Sequence, residues 1–144
     1  LAKYGVDAEV FSATSFNELR RDGQSCTRYN MLHPGAKAPR VSHVEALLGG
    51  SDDPVVAATD HMQLFAEQIR PFLGKTTYVT LGTDGFGRSD SRKKLREHFE
   101  VDRRFVTVAA LSALHRDGKV TAKVVTDAIK ALGINPDRLD PVLL

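Results

Sequence analysis

The chain has 144 residues, 42% of them hydrophobic and 26% charged, with 20 basic against 18 acidic side chains. That length suits one domain with one core; no apolar run nears the roughly 20 residues of a membrane-spanning helix, and the near balance of charge lends little support to nucleic-acid binding. Cys26 is the only cysteine, which excludes an internal disulfide or a thiolate cluster and suits a reducing, cytoplasmic compartment.

The opening LAKYG has the form of a last helical turn closing on a C′ glycine, Gly5, where a residue without Cβ tolerates the left-handed conformation. The expectation is one domain over residues 1–144, truncated at its N-terminus, with an upstream strand and most of a helix missing. Residues 6–14, VDAEVFSAT, place Val6, Ala8 and Val10 on one side and Phe11 with Ala13 on the other, which predicts a strand covered on both faces. Ser15 and Glu18 have the spacing of a capping box, in which hydroxyl and carboxylate satisfy orphan amides at a helix start, and Gly23 reads as the stop of a short helix. Residues 24–38 read as irregular, with a second short helix around Tyr29, Met31 and Leu32 broken by Pro34 and Gly35. Ser42 and Glu45 give a second box for a helix with Val44, Leu47 and Leu48 on its apolar face and Gly49 and Gly50 at its end.

Residues 54–59, PVVAAT, form a short apolar run of the kind buried in parallel sheets. Asp60, with Gln63 completing the box, is expected to cap a helix whose stripe is Met62, Phe65, Ile69 and Phe72. Residues 76–81 alternate and are rich in β-branched and aromatic types, as a strand requires, and end in the glycine-punctuated loop GTDGFGRS at 82–89. Asp90 or Ser91 then starts a charged helix carrying Leu95 and Phe99. A further helix over residues 103–115 turns Phe105, Val108, Leu111 and Leu114 inward and stops near Gly118. Thr121 caps the last helix, which buries Val124, Val125, Ala128, Ile129 and Leu132 and ends at Gly133; prolines in the tail forbid more helix. Strands alternating with helices define an α/β class with an open, mostly parallel sheet covered by helices.

In that order, the phrases TSFNELRRDGQ, RYNMLHP, PVVAATDHMQLFAEQIRPF, LGTDGFGRSDSRKKLREHFEVD and ALGINPDRLDP resemble the C-terminal domain of the homodimeric, bacterial-type pyruvate dehydrogenase component, over nearly the whole chain. The resemblance implies a transketolase-like C-terminal domain with a mixed, mainly parallel sheet, part of a thiamine-diphosphate enzyme. In the parent, pyruvate is decarboxylated and the acetyl unit passed reductively to the lipoyl group of a dihydrolipoamide acetyltransferase. The resemblance also implies that thiamine diphosphate and Mg²⁺ are held by other domains, so it assigns no catalytic, cofactor-binding or metal residue here. The remaining share is contact: packing against the rest of the chain and its homodimer mate, and an inactive domain when alone.

The loop of residues 83–91 is the strongest local feature, because it follows a strand and opens onto a helix. It lacks the GxGxxG and GxxxxGK[ST] spacings of phosphate loops. The structural reading is preferred: Gly85 and Gly87 permit a tight turn, Phe86 inserts into a neighbouring surface, and Asp84 and Ser89 satisfy backbone amides, with Arg88 beside them. The rival is a free-standing module that binds an anionic ligand at this loop through Arg88, Arg92 and Lys93; a third reading is a module docking the acetyltransferase through the basic run 88–96. The five histidines show no metal-ligand spacing. His61 is the one placed near the carboxyl end of a strand, where ligands gather in open α/β sheets, and solvent exposure is the preferred reading of it.

Overall fold

Four of the described α-helices start where the residue before them is a short polar side chain that takes an orphan amide. In the computed structural model, which describes residues 1–143, Ser15 Oγ accepts from the Glu18 amide at 3.2 Å and opens α1, Phe16–Leu32. Ser42 does the same for α2, His43–Leu48, through Glu45, and Ser91 for α4, Arg92–His98, through Lys94. Asp102 accepts from the Arg104 and Phe105 amides and starts α5, Arg103–Arg116. Thr121 stands at the head of α6, Ala122–Ala131, without a side-chain cap bond. Gly5 and Gly133 close their turns in the left-handed region at φ 70° and 66°, a conformation that costs a residue with a Cβ about 1 kcal/mol or more.

Two strands, β1 (Val55–Ala58) and β2 (Tyr78–Leu81), pair in parallel with Val55 opposite Tyr78 and Ala58 opposite Leu81. The crossover carries α3, Gln63–Glu67, and a 3-10 turn over Arg70–Phe72. One core lies between the sheet and α1 to α3: Val44, Ile69, Leu73 and Tyr78 are buried, and Phe16, Leu19, Leu48, Val55, Ala57 and Phe72 close around them. Because side chains alternate along a strand, Val56 and Val79 fall on the opposite side of the ladder, where α5 packs against both strands and α6 packs against α5. Leu111 and Ala113 of α5 and Ala128 of α6 are fully buried there. The Tyr78 hydroxyl donates to the Ala66 carbonyl at 2.8 Å, and its burial pushes the phenol well above the usual range. Arg70 holds Glu67 through two hydrogen bonds while Thr80 donates to the same carboxylate; these bonds keep Glu67 below the ordinary glutamate pKa. The architecture is an open α/β module with a small parallel sheet.

Four sequence expectations need correction. Residues 6–14 join no ladder, and Val10 is 88% exposed; alternation supplies two faces, but a strand also needs a partner edge, and β1 bonds only to β2 among the described residues. Gly23 does not stop α1, which runs through it to Leu32 and so absorbs the second short helix. A Cβ at Gly23 would meet the ring of Phe72 at 2.6 Å, so this glycine serves a close approach rather than a terminus. Asp60 does not cap α3: its carboxylate is bound by Arg96 at 3.1 Å, and Met62 occupies the cap position. Finally, only the second half of the α3 stripe is inside, with Ile69 buried and Met62 and Phe65 exposed.

The surface is large for the mass. It measures 9900 Å², whereas a folded monomer of 15.8 kDa is expected near 7,300 Å², about a quarter less. Among the described residues, thirteen large apolar side chains are left in solvent.

Candidate functional site

The loop after β2 is built from backbone outward. Gly82 is buried, and a Cβ there would lie 2.5 Å from the Gln63 nitrogen and 2.7 Å from the His61 carbonyl oxygen, so the loop can pass under the start of α3 only because no side chain intervenes. Thr83 then donates twice, from its amide to the His61 carbonyl and from its hydroxyl to the Asp60 carbonyl, both at 2.9 Å. Asp84 accepts the Gln63 amide at 2.9 Å. This is a helix cap supplied from 21 residues away, and it takes the place sequence spacing gives to Asp60. Removing it should weaken the domain: Asp84→Ala is expected to lower unfolding stability by about 1 kcal/mol and Asp84→Asn to keep most of it, read from urea midpoints.

Gly85 follows at φ 104°, and a Cβ there would lie 3.0 Å from the Pro141 carbonyl oxygen, so the loop also touches the C-terminal 3-10 turn, Pro141–Leu143. Phe86 points outward, 78% exposed, and Gly87 stands open. Arg88 and Ser89 join Asp90, Lys94, Leu95 and His98 around a cleft of about 330 Å³. His98 sits below the ordinary histidine pKa because it is partly desolvated and because the Arg88 and Arg138 charges disfavour the imidazolium. Asp90 accepts the Ser91 amide at 2.6 Å and brings a carboxylate into the same cleft. The structure thus brings Asp84, Gly85 and Phe86 to the carboxyl end of the sheet and sets Arg88 and Ser89 apart from them on the α4 side.

A second hollow of about 340 Å³ lies between Leu81, Phe99, Phe105 and the tail, and its key residue, Arg138, carries no local sequence signal. Arg138 donates to the Glu97 and His98 carbonyls and pairs with Glu100 at 3.2 Å. Glu100 is the one described residue other than glycine with positive φ, 60°; burial raises its pKa, Arg138 opposes that, and Asp140 adds to it. These contacts tie the tail across the corner between α4 and α5. Nothing in the sequence spacing joins positions 40 apart, so the anchor is visible only in the fold.

Several of the remaining candidates have partners within the chain. His61 is exposed, its ring tilted against Phe65 at 5.2 Å; His33 stacks on Tyr29, over which Arg40 also lies at 3.5 Å. In the basic run, Arg96 is held by Asp60, and Lys94 stands 3.8 Å from Glu97. No group of three or more metal-ligating side chains is gathered among the described residues.

A small parallel sheet under helices, with a glycine loop at its carboxyl end, is the frame in which these residues stand. Residues 1–102 fit the model of the transketolase-like TK C-terminal domain, and the chain belongs to that family. Its curated relatives narrow the class further. The chain is 55% identical over 139 residues to a pyruvate dehydrogenase E1 component of Pseudomonas aeruginosa, covering 96% of this chain and 16% of that protein. It is 54% identical over 144 residues to the same component of Escherichia coli K12, covering 99% of this chain and 16% of the relative, and 54% identical over 139 residues to that of Haemophilus influenzae. The chain therefore spans about one sixth of the length of these relatives.

Proposed function

We propose that this chain is the non-catalytic C-terminal domain of a pyruvate dehydrogenase E1 component. The observation that carries the reading is the identity of 55% and 54% sustained over 96% and 99% of the chain. In this reading the whole enzyme is a cytoplasmic homodimer that decarboxylates pyruvate and reductively acetylates the lipoyl group of a dihydrolipoamide acetyltransferase. Thiamine diphosphate with Mg²⁺ supplies the carbanion chemistry of that reaction when bound, and both are held outside residues 1–144. The chain's own residues then do structural work: Asp84, Thr83 and Gly82 fix the loop, and Arg138 fixes the tail.

An anionic ligand at residues 83–91 finds less support, because Asp90 shares the cleft with Arg88 and Lys94 and repels a second negative charge. A basic docking face is similarly discounted by the pairing of Arg96 and Lys94 within the chain. Two assays test the proposal. The polypeptide that contains this domain at the relatives' full length is expected to release CO₂ from pyruvate when given thiamine diphosphate and Mg²⁺. Residues 1–144 alone are expected to show neither turnover nor calorimetric binding of the cofactor; either activity in the isolated chain would overturn the assignment.

A further inference from the structure

We infer that Phe86, with Val142 and Leu143 beside it, is the anchor through which this domain seats on the rest of its own polypeptide. The inference rests on the E1 reading, since it takes as occupant the five sixths of the relatives' length that lies outside this chain.

Single exposed apolar residues are ordinary on protein surfaces. Phe86 differs in how it is held. Three hydrogen bonds, from the Thr83 amide, the Thr83 hydroxyl and the Gln63 amide, fasten the loop just before it. Gly85 lies against the Pro141 carbonyl and the Val142 backbone, so loop and tail are braced against each other, and Arg138 braces the tail in turn. The result is an aromatic side chain 78% exposed one residue after the braced Gly85, while Val142 at 51% and Leu143 at 79% are exposed in the tail turn that Gly85 touches, and Met62, before the capped Gln63, is 47% exposed. Anchors of this kind dominate contact energy because a rigid aromatic loses little entropy on burial and fills a pocket in its partner. Phe86, Val142 and Leu143 are among the large apolar side chains that this chain leaves exposed. The flanking groups suit an uncharged pocket: Asp84 is already satisfied by the Gln63 amide, and no carboxylate or cation lies between Asp84 and Arg88 in sequence.

Hydroxyl-radical footprinting of the full-length polypeptide, read residue by residue by mass spectrometry against the same protein unfolded in urea, tests the inference. Phe86, Val142 and Leu143 are expected to oxidise at least about fivefold more slowly in the folded protein, as buried interface-core side chains do. A Phe86→Asp variant should restore oxidation of Val142 and Leu143, while Phe86→Leu should leave them protected. Oxidation of Phe86 in the folded protein at close to its unfolded rate would overturn the inference. So would protection that disappears on dilution to a monomer, because that assigns the face to a second copy. Turnover of pyruvate separates this from the E1 reading: an active enzyme with freely oxidised Phe86 sinks only the anchor, and an inactive one with protected Phe86 sinks only the assignment of activity.

Discussion

Gly82→Ala is expected to remove at least about 3 kcal/mol of unfolding stability, enough to unfold a domain of ordinary marginal stability. The added methyl would sit 2.5 Å from the Gln63 nitrogen, 2.7 Å from the His61 oxygen and 2.9 Å from the Gln63 Cα. All three are backbone atoms, so no rotamer change relieves the overlap. Moving the α3 start away would break the Thr83 to His61 bond and the Asp84 cap together, and would also pull the carboxyl end of β2 from the crossover that it follows. Gly87→Ala is the matched control, since nothing lies within 4 Å of its added carbon and its φ is not positive; that variant should stay within about 0.5 kcal/mol of the parent. Urea unfolding followed by circular dichroism reads both. A Gly82→Ala midpoint equal to that of Gly87→Ala would show that the loop does not need the close approach described.

Gly23→Ala pits two effects against each other. Alanine is the better helix former by about 1 kcal/mol in a helix interior, and on propensity alone the variant should gain stability. Against this, the new carbon would stand 2.6 Å from three atoms of the Phe72 ring, a residue that packs on the Val44, Ile69, Leu73 and Tyr78 core. Overpacking of this kind costs about 1–3 kcal/mol, so the expected net change is a loss of up to about 2 kcal/mol. The ring is a side chain and can be trimmed. A Phe72→Leu change should therefore destabilise the parent but cost less, or nothing, in the Gly23→Ala background, and the sign of that coupling in a double-mutant cycle decides the matter.

These two glycines also show how far local reading of the sequence reaches. The Ser15, Ser42 and Ser91 caps, the runs that become β1 and β2, and the inward faces of α5 and α6 all follow from residues within four positions of one another, and each is where spacing puts it. Gly23 misleads because a glycine needed for close approach and a glycine needed at a helix end look alike in sequence; only the Phe72 ring, 49 positions on, tells them apart. Residues 6–14 mislead for a related reason, as their alternation is a statement about faces and a strand is a statement about hydrogen-bonded neighbours. In the loop, Asp84 was legible as an amide acceptor but not its recipient, the start of α3. The tail anchor at Arg138 was not legible at all, because its partners are two main-chain carbonyls and a glutamate with unusual backbone.

The parallel register of Val55 on Tyr78 bears on when this domain can close as it leaves the ribosome. Unlike a hairpin, this pair cannot zip up as it emerges; the first apolar segment must wait for the whole crossover, roughly 1 to 5 s of synthesis, before its partner exists. Val44 of α2 and Phe16 and Leu19 of α1 precede Val55 in the chain and pack on the same core, so part of the apolar surface that will cover the first strand is already synthesised when it emerges.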